Sequence, residues 1–263
     1  MQIKCYTYYD DFHECPVTDL SKPYINCYIG DFAAREPIGD NAIVILQEPR
    51  SIEHLGYEYV EKHPEEFKYI FTYDSKLLKL PNAYMFNWGS IWCTSDIPKT
   101  KGISMVSSDK ECCELHKVRK DLALQFDRGD KVDCFGTFRG NPADYADTHE
   151  SHAEYRFAIV IENYIDDYWY TEKILNCFST KTVPIYYGAR KIGELFNSDG
   201  IIEVKNWQDI PEIVEKLNIE KEYNKRKIAI EDNFIRVRPY AAPWRERFMK
   251  RYGKMLEDMI NEA

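Results

Sequence analysis

The chain has 263 residues, 44% of them hydrophobic and 30% charged, enough to bury a sizeable core in one large domain or two compact ones. Its net charge is −9. Residues 1–100 hold nine Lys and Arg against fifteen Asp and Glu, and the remainder 26 against 29, so neither half carries the basic field that nucleic acid requires.

In chain order, Ile3–Tyr8 reads as a first strand, and Ala42–Gln47 (AIVILQ), rich in β-branched residues, as a buried one. Ser51–Lys62 reads as a helix and Tyr69–Tyr73 as a strand. The polar segment Thr94–Lys101, with Pro98, reads as a linker. Gly102–Ser107 opens a second series. A helix over Lys110–Arg128 places Leu115, Val118, Leu122, Leu124 and Phe126 on a core face. Val132–Phe138 follows as a strand, Arg139–Glu150 as a polar loop and Arg156–Ile161 (RFAIVI) as a buried strand. Next come a helix at Thr171–Thr180, a strand at Val183–Tyr187, a short helix at Lys191–Phe196, a strand at Ile201–Val204 and a helix at Asp209–Lys216. A long helix over 241–262 repeats Trp244, Phe248, Tyr252 and Leu256 at fourfold spacing. Two alternating βα series predict an α/β fold of two doubly wound halves, residues 1–100 and 101–263, with the last helix free to pack back on the first half. A single continuous α/β domain is the alternative.

The eight cysteines include strand-like positions such as Cys134, and a chain with this much core needs no staples, so reduced thiols are expected. Cys112 and Cys113 with His116 lack a second ligand pair at zinc spacing, which argues against a structural metal site. No apolar run reaches the roughly 18 residues of a membrane span. A soluble, cytoplasmic protein, at most peripheral to a membrane, is expected. The 20 Tyr and 5 Trp suit either core packing or stacking on sugar rings.

Chemistry-bearing residues are densest where a buried strand ends in Glu162-Asn163, six residues follow, and a helix opens with Tyr170-Thr171-Glu172-Lys173. Thr171 is placed to cap that helix, whose free N–H groups and dipole favour an anion beyond the strand end. Lys173 adds a full charge, and Glu172 can accept hydrogen bonds from sugar hydroxyls. A diphosphate with a ribose beside it would satisfy these groups; a capped helix with an exposed lysine is the plainer alternative.

The pattern F-x-x-x-x-E-N, six residues, x-T-E-K, then V-P-[IV]-x-x-G, here Phe157 to Gly188, resembles the donor-binding signature of the α-1,3/4-fucosyltransferase family, especially its short bacterial members. Upstream, Val106-Ser-Ser, Arg119 and Val132-Asp133-Cys134-Phe135-Gly136 are similar to a further stretch of that family. More weakly, Ile45-Leu46-Gln47-Glu48 resembles the strand ending in its catalytic Glu. The resemblance implies a GT-B fold, two Rossmann-like domains facing a cleft, with the acceptor on the N-terminal domain and GDP-fucose on the C-terminal one. It implies Arg119 and Lys173 on the diphosphate, Glu172 on donor hydroxyls, Asn163 in the same pocket and Glu48 as general base. Arg156 is a further candidate for the diphosphate charge. Trp169 stands where the family usually has a Tyr that meets the nucleotide; its indole can stack or donate one N–H but cannot accept.

The expected reaction is inverting transfer of fucose to a glycan hydroxyl, with no cofactor or metal required, since no D-x-D lies between apolar strands. Asp166-Asp167 leaves weak stimulation by a divalent ion open. The alternatives are a GT-B transferase using another nucleotide sugar and a non-catalytic carbohydrate- or nucleotide-binding protein. The acceptor would meet the loops Tyr8–Tyr28 and Tyr84–Trp92, whose aromatics could stack on sugars or simply be packed.

Overall fold

The computed structural model describes residues 1–7, 16–144 and 147–262. In chain order the elements are β1 (Ile3–Tyr6), β2 (Ile25–Ile29), α1 (Phe32–Arg35), β3 (Ala42–Ile45), α2 (Leu55–Lys62), β4 (Tyr69–Thr72) and β5 (Ala83–Met85). There follow β6 (Lys101–Val106), α3 (Glu114–Phe126), β7 (Val132–Phe135), α4 (Thr148–His152), β8 (Tyr155–Ile161), α5 (Glu172–Ser179) and β9 (Val183–Tyr187). The chain continues with β10 (Ile202–Glu203), α6 (Ile210–Lys216), α7 (Ile219–Lys225), α8 (Lys227–Arg236) and α9 (Trp244–Asn261). They form two compact units, Met1–Trp88 with Ala242–Ala263, and Gly89–Ala241. The division falls at Trp88, ahead of the polar 94–101 segment, and α9 belongs to the first unit.

In the first unit the sheet is parallel throughout, in the sequential order β1-β2-β3-β4-β5. Crossovers of one hand between sequential strands bring their helices to the same face. Ala33 of α1 and Tyr57 and Val60 of α2 accordingly share one core with Tyr28, Val44 and Ile70. The opposite face carries Ile25, Cys27, Ile29, Ile43, Ile45 and Phe71, and α9 covers it with Phe248, Tyr252, Leu256 and Met259. Fourfold spacing along α9 puts these side chains on one stripe. Phe248 stacks edge-on against Phe71 with ring centroids 4.7 Å apart.

The sheet of the second unit is also parallel but ordered β10-β9-β8-β6-β7. The chain runs outward from β6 to β7, then returns to β6's other side with β8 and continues away. Helices therefore fall on both faces. Val118 and Leu122 of α3 and Ile210 and Val214 of α6 pack with Phe157, Ile159 and Ile161. Ile174, Leu175 and Phe178 of α5 pack with Ala158 and Val160. This is the doubly wound order whose reversal, between β6 and β8, opens a crevice at the carboxyl ends of those two strands.

Some expected elements differ in length or kind. The strand read over Val132–Phe138 stops at Phe135 and becomes a 3₁₀ turn at Thr137–Arg139, and Lys191–Phe196 holds only a 3₁₀ turn at Ile192–Glu194. Both segments read as loops, Tyr8–Tyr28 and Tyr84–Trp92, contribute strand residues, to β2 and β5. Tyr28 is fully buried, stacked on Tyr6 at 4.5 Å and donating its hydroxyl to the Pro37 carbonyl. Packing, not a free sugar-stacking face, thus accounts for that ring. Tyr8 and the rest of residues 8–15, Cys15 included, lie outside the described residues. Among the described residues Cys5, Cys93, Cys112, Cys113, Cys134 and Cys177 are free thiols, Cys177 buried and Cys112 exposed, and Cys27 is buried as well. Among those residues no helix is long and apolar enough to cross a membrane.

Candidate functional site

Strand β8 ends at Ile161, beside the reversal point, and Glu162 and Asn163 continue from it. Glu162 is completely buried. Its carboxylate accepts the Thr171 backbone N–H at 3.0 Å on Oε1 and the Thr171 hydroxyl at 2.8 Å on Oε2, so it ties both ends of the 162–171 loop together. Thr171 caps α5 as its residue type predicts, its Oγ1 accepting the Lys173 N–H at 3.3 Å. Lys173 Nζ turns back over the same cap, 2.9 Å from Thr171 Oγ1, 3.0 Å from Glu172 Oε1 and 3.6 Å from Glu162 Oε2.

The other wall is α3. Its N-cap residue Cys113 donates its thiol to the Asn163 carbonyl at 3.3 Å, which pins the start of this helix to the loop after β8. Two turns on, Arg119 is buried, and its Nη1 donates to the Ile161 carbonyl at 2.9 Å. The N-terminal ends of α3 and α5 therefore meet at the strand end, each bringing the positive end of its dipole, that of α5 already capped by Thr171. Arg119 and Lys173 add two full charges to that spot.

The charge balance is close. Burial pushes the Glu162 carboxyl upward despite the Lys173 ammonium beside it. For Glu172 burial acts in the same direction but Lys173 outweighs it, leaving its carboxyl below the ordinary value. Burial opposes the Lys173 charge too, yet Glu172 and Glu162 together hold its amine above the ordinary value. Burial lowers Arg119, which stays cationic at any physiological pH. The Lys173 and Glu172 side chains remain about a quarter exposed, while Glu162, fully buried, anchors the cluster from within.

Of the residues singled out in sequence, Arg119, Asn163, Glu172, Lys173 and Trp169 gather here. Trp169 is buried, and its indole N–H donates to Asn163 Oδ1 at 2.9 Å, closing the 163–169 loop on itself. Arg156 does not join them. It sits at the start of β8, about 20 Å from the Glu162 end at 3.3 Å per residue. There it donates to the Lys101 carbonyl and pairs with Glu220 at 2.7 Å. Arg156 also lines a cavity of about 390 Å³ with Lys99, Lys181 and Glu231, remote from the reversal point.

Glu48 belongs to the first unit. It is exposed beyond the end of β3, and the hydroxyls of Tyr57 and Tyr73 hold its backbone carbonyl at 2.7 and 3.3 Å. Glu53, a neighbour of Glu48 that no motif marks, has a shifted carboxyl. Burial, with the charges of Asp31 and Glu48, pushes the Glu53 carboxyl up to about 7. Glu162 has no role of its own in the motif; a lone carboxylate ending the apolar run 157–161 is the signal that marks such a keystone.

Residues 97–240 match glycosyltransferase family 10 (fucosyltransferase), in its C-terminal part. The chain belongs to this family. As a family 10 member it is 22% identical over 229 residues to a fucosyltransferase-like protein of Arabidopsis thaliana, an alignment covering 80% of this chain and 44% of that protein. The chain thus spans less than half the length of this curated relative. Its fold is similar to that of an α1,3-fucosyltransferase solved with GDP, with a TM-score of 0.53, 14% identity and coverage of 79% of this chain and 69% of that one. A structure of an α1,3-fucosyltransferase with GDP-fucose gives 0.51 at 15% identity over the same shares. The family 10 chain therefore has a GT-B-like α/β fold, which the two parallel sheets display.

Proposed function

We propose that this chain transfers fucose from GDP-fucose to a hydroxyl of a glycan, with inversion at the anomeric carbon. The observation that carries the reading is the meeting of two helix N-termini, Arg119 and Lys173 at the β6/β8 reversal point, an arrangement suited to a pyrophosphate. Family membership supports fucosyl transfer, and solved relatives of similar fold hold GDP or GDP-fucose.

In this mechanism the acceptor oxygen attacks the anomeric carbon from the face opposite the nucleotide. Its proton passes to a carboxylate, for which Glu48 is the candidate. The bond from the anomeric carbon to the phosphate oxygen breaks, and its electron pair leaves with GDP. Arg119 and Lys173 neutralise the charge growing on that diphosphate, so the scheme needs no metal or resident cofactor. Glu172 would meet donor hydroxyls, and Glu162 would keep the Thr171 cap and Lys173 in register. Asn163 and Trp169 would shape the pocket wall.

Three variants test the reading. Incubation with GDP-fucose and a small panel of glycan acceptors should release GDP and yield a fucosylated product. Lys173→Ala and Arg119→Ala should abolish transfer and weaken GDP binding, whereas Glu48→Ala should abolish transfer and leave GDP binding intact. Thermal shift against GDP, UDP and dTDP reports donor choice, because a ligand that binds the native state raises its apparent stability. Stabilisation by UDP or dTDP but not GDP would replace GDP-fucose as the donor.

A further inference from the structure

His116 lies on α3, one turn before Arg119 and on the same face of the helix. It is only 8% exposed, and its Nδ1 is buried without a hydrogen-bond partner. Nε2 also has no partner among the described residues, but it is not sealed in the same way. The ring is held between charges of one sign. Arg119 belongs to its own helix, Lys173 to α5 and Lys110 to the segment before α3, and burial followed by these three cations pushes the imidazole down to about 4. His116 is therefore neutral near pH 7, with one N–H and one lone pair. A proton on Nδ1 would be an unpartnered donor amid positive charge, whereas a lone pair there is favoured by the cations. The proton accordingly sits on Nε2, the nitrogen that can still be reached.

Such a neutral N–H, beside two cations and two helix N-termini, is matched to an anionic oxygen. We propose that His116 is a third ligand of the nucleotide diphosphate, donating Nε2–H to a phosphoryl oxygen alongside Arg119 and Lys173. The proposal rests on the reading of this crevice as a nucleotide-sugar site and adds to it a residue that contributes no net charge.

Calorimetric titration of the purified chain with GDP and with guanosine tests it. His116→Ala should weaken GDP binding about tenfold, the worth of one hydrogen bond to a charged group, and leave guanosine binding unchanged. His116→Gln, whose amide N–H reaches the position of Nε2, should recover most of the loss. His116→Asn, whose amide reaches only the position of Nδ1, should not. Equal GDP affinity in wild type and His116→Ala overturns the proposal, as does equal affinity in the Gln and Asn variants should the Ala variant fail to fold. Parallel losses for GDP and guanosine would also overturn it, by marking a general loosening of the site. Failure of the wild type to bind GDP at all would instead refute the nucleotide-sugar reading itself.

Discussion

Replacing Thr171 by Val removes one oxygen and keeps the shape of the side chain. That oxygen donates to the fully buried Glu162 at 2.8 Å, accepts the Lys173 N–H at 3.3 Å and accepts Lys173 Nζ at 2.9 Å. Losing a hydrogen bond to a buried carboxylate costs about 1.5–3 kcal/mol, and losing a threonine N-cap about 1 kcal/mol more. Thr171→Val should therefore cost about 2.5–4 kcal/mol, readable in urea unfolding followed by circular dichroism, and lower Tm by about 10 °C. Thr171→Ser, which keeps the hydroxyl, should cost under about 1 kcal/mol. The Val penalty should also be larger at pH 8 than at pH 5. Burial raises the Glu162 pKa, so at low pH the carboxyl is partly neutral and the missing donor matters less. If Thr171→Val and Thr171→Ser are equally stable, or if the Val penalty falls below about 1 kcal/mol, the hydroxyl is not the keystone argued here.

Gly188→Ala should disturb the same keystone from the other side, because a Cβ there would lie 2.3 Å from the Tyr186 hydroxyl and 2.8 Å from Glu162 Cγ. A loss of about 1–3 kcal/mol in thermal unfolding, with weakened GDP binding, is expected. For Glu53, the folded pKa of about 7 lies above the ordinary 4.5, so its contribution to stability is fully present below about pH 4.5 and is lost as pH rises through 7. Tm measured from pH 5 to pH 8 should therefore fall more steeply in wild type than in Glu53→Gln, by the equivalent of about 1–2 kcal/mol after allowance for partial exposure. Arg156→Ala should leave GDP affinity unchanged and cost less than about 1 kcal/mol, since its ion pair with Glu220 is partly solvated.

Where one period or one residue type dominated, the sequence could be read closely. Val183–Tyr187 is a strand with the bounds expected, and the helix read at Thr171–Thr180 runs from Glu172 to Ser179 inside its cap. β2 escaped because INCYI, buried on both faces, places Asn26 and Cys27 where an apolar run would be expected. Asn26 is tolerated there because its amide donates to the Asp40 carbonyl at 2.6 Å. α8 escaped for the opposite reason: Ile228 and Ile235 are exposed while Asn233 is buried beside Ala229 and Ile230, so its apolar residues mark its inner face only in part. Within the site, motif spacing brings Asn163, Glu172 and Lys173 together because they flank a strand end and a helix start, whereas Arg119, two turns into α3, is marked only by the resemblance. The sequence already places Arg156 at the start of the strand that ends at Ile161, so its distance from the Glu162 end follows from counting along β8; what motif spacing could not give is its pairing with Glu220. Nor could it show that Trp169 spends its N–H on Asn163, or that Glu162 carries the loop. Those facts depend on how a loop folds onto itself, for which sequence has no period.

The covering of the first unit's sheet by α9 has a consequence for biosynthesis. Ile43, Ile45 and Phe71 leave the ribosome early, but Phe248, Tyr252 and Leu256, which shield them, emerge only after all of residues 89–241. The second unit is contiguous and can fold as soon as it is made. The first must wait with one apolar sheet face bare, a surface exposed to misassociation until α9 arrives.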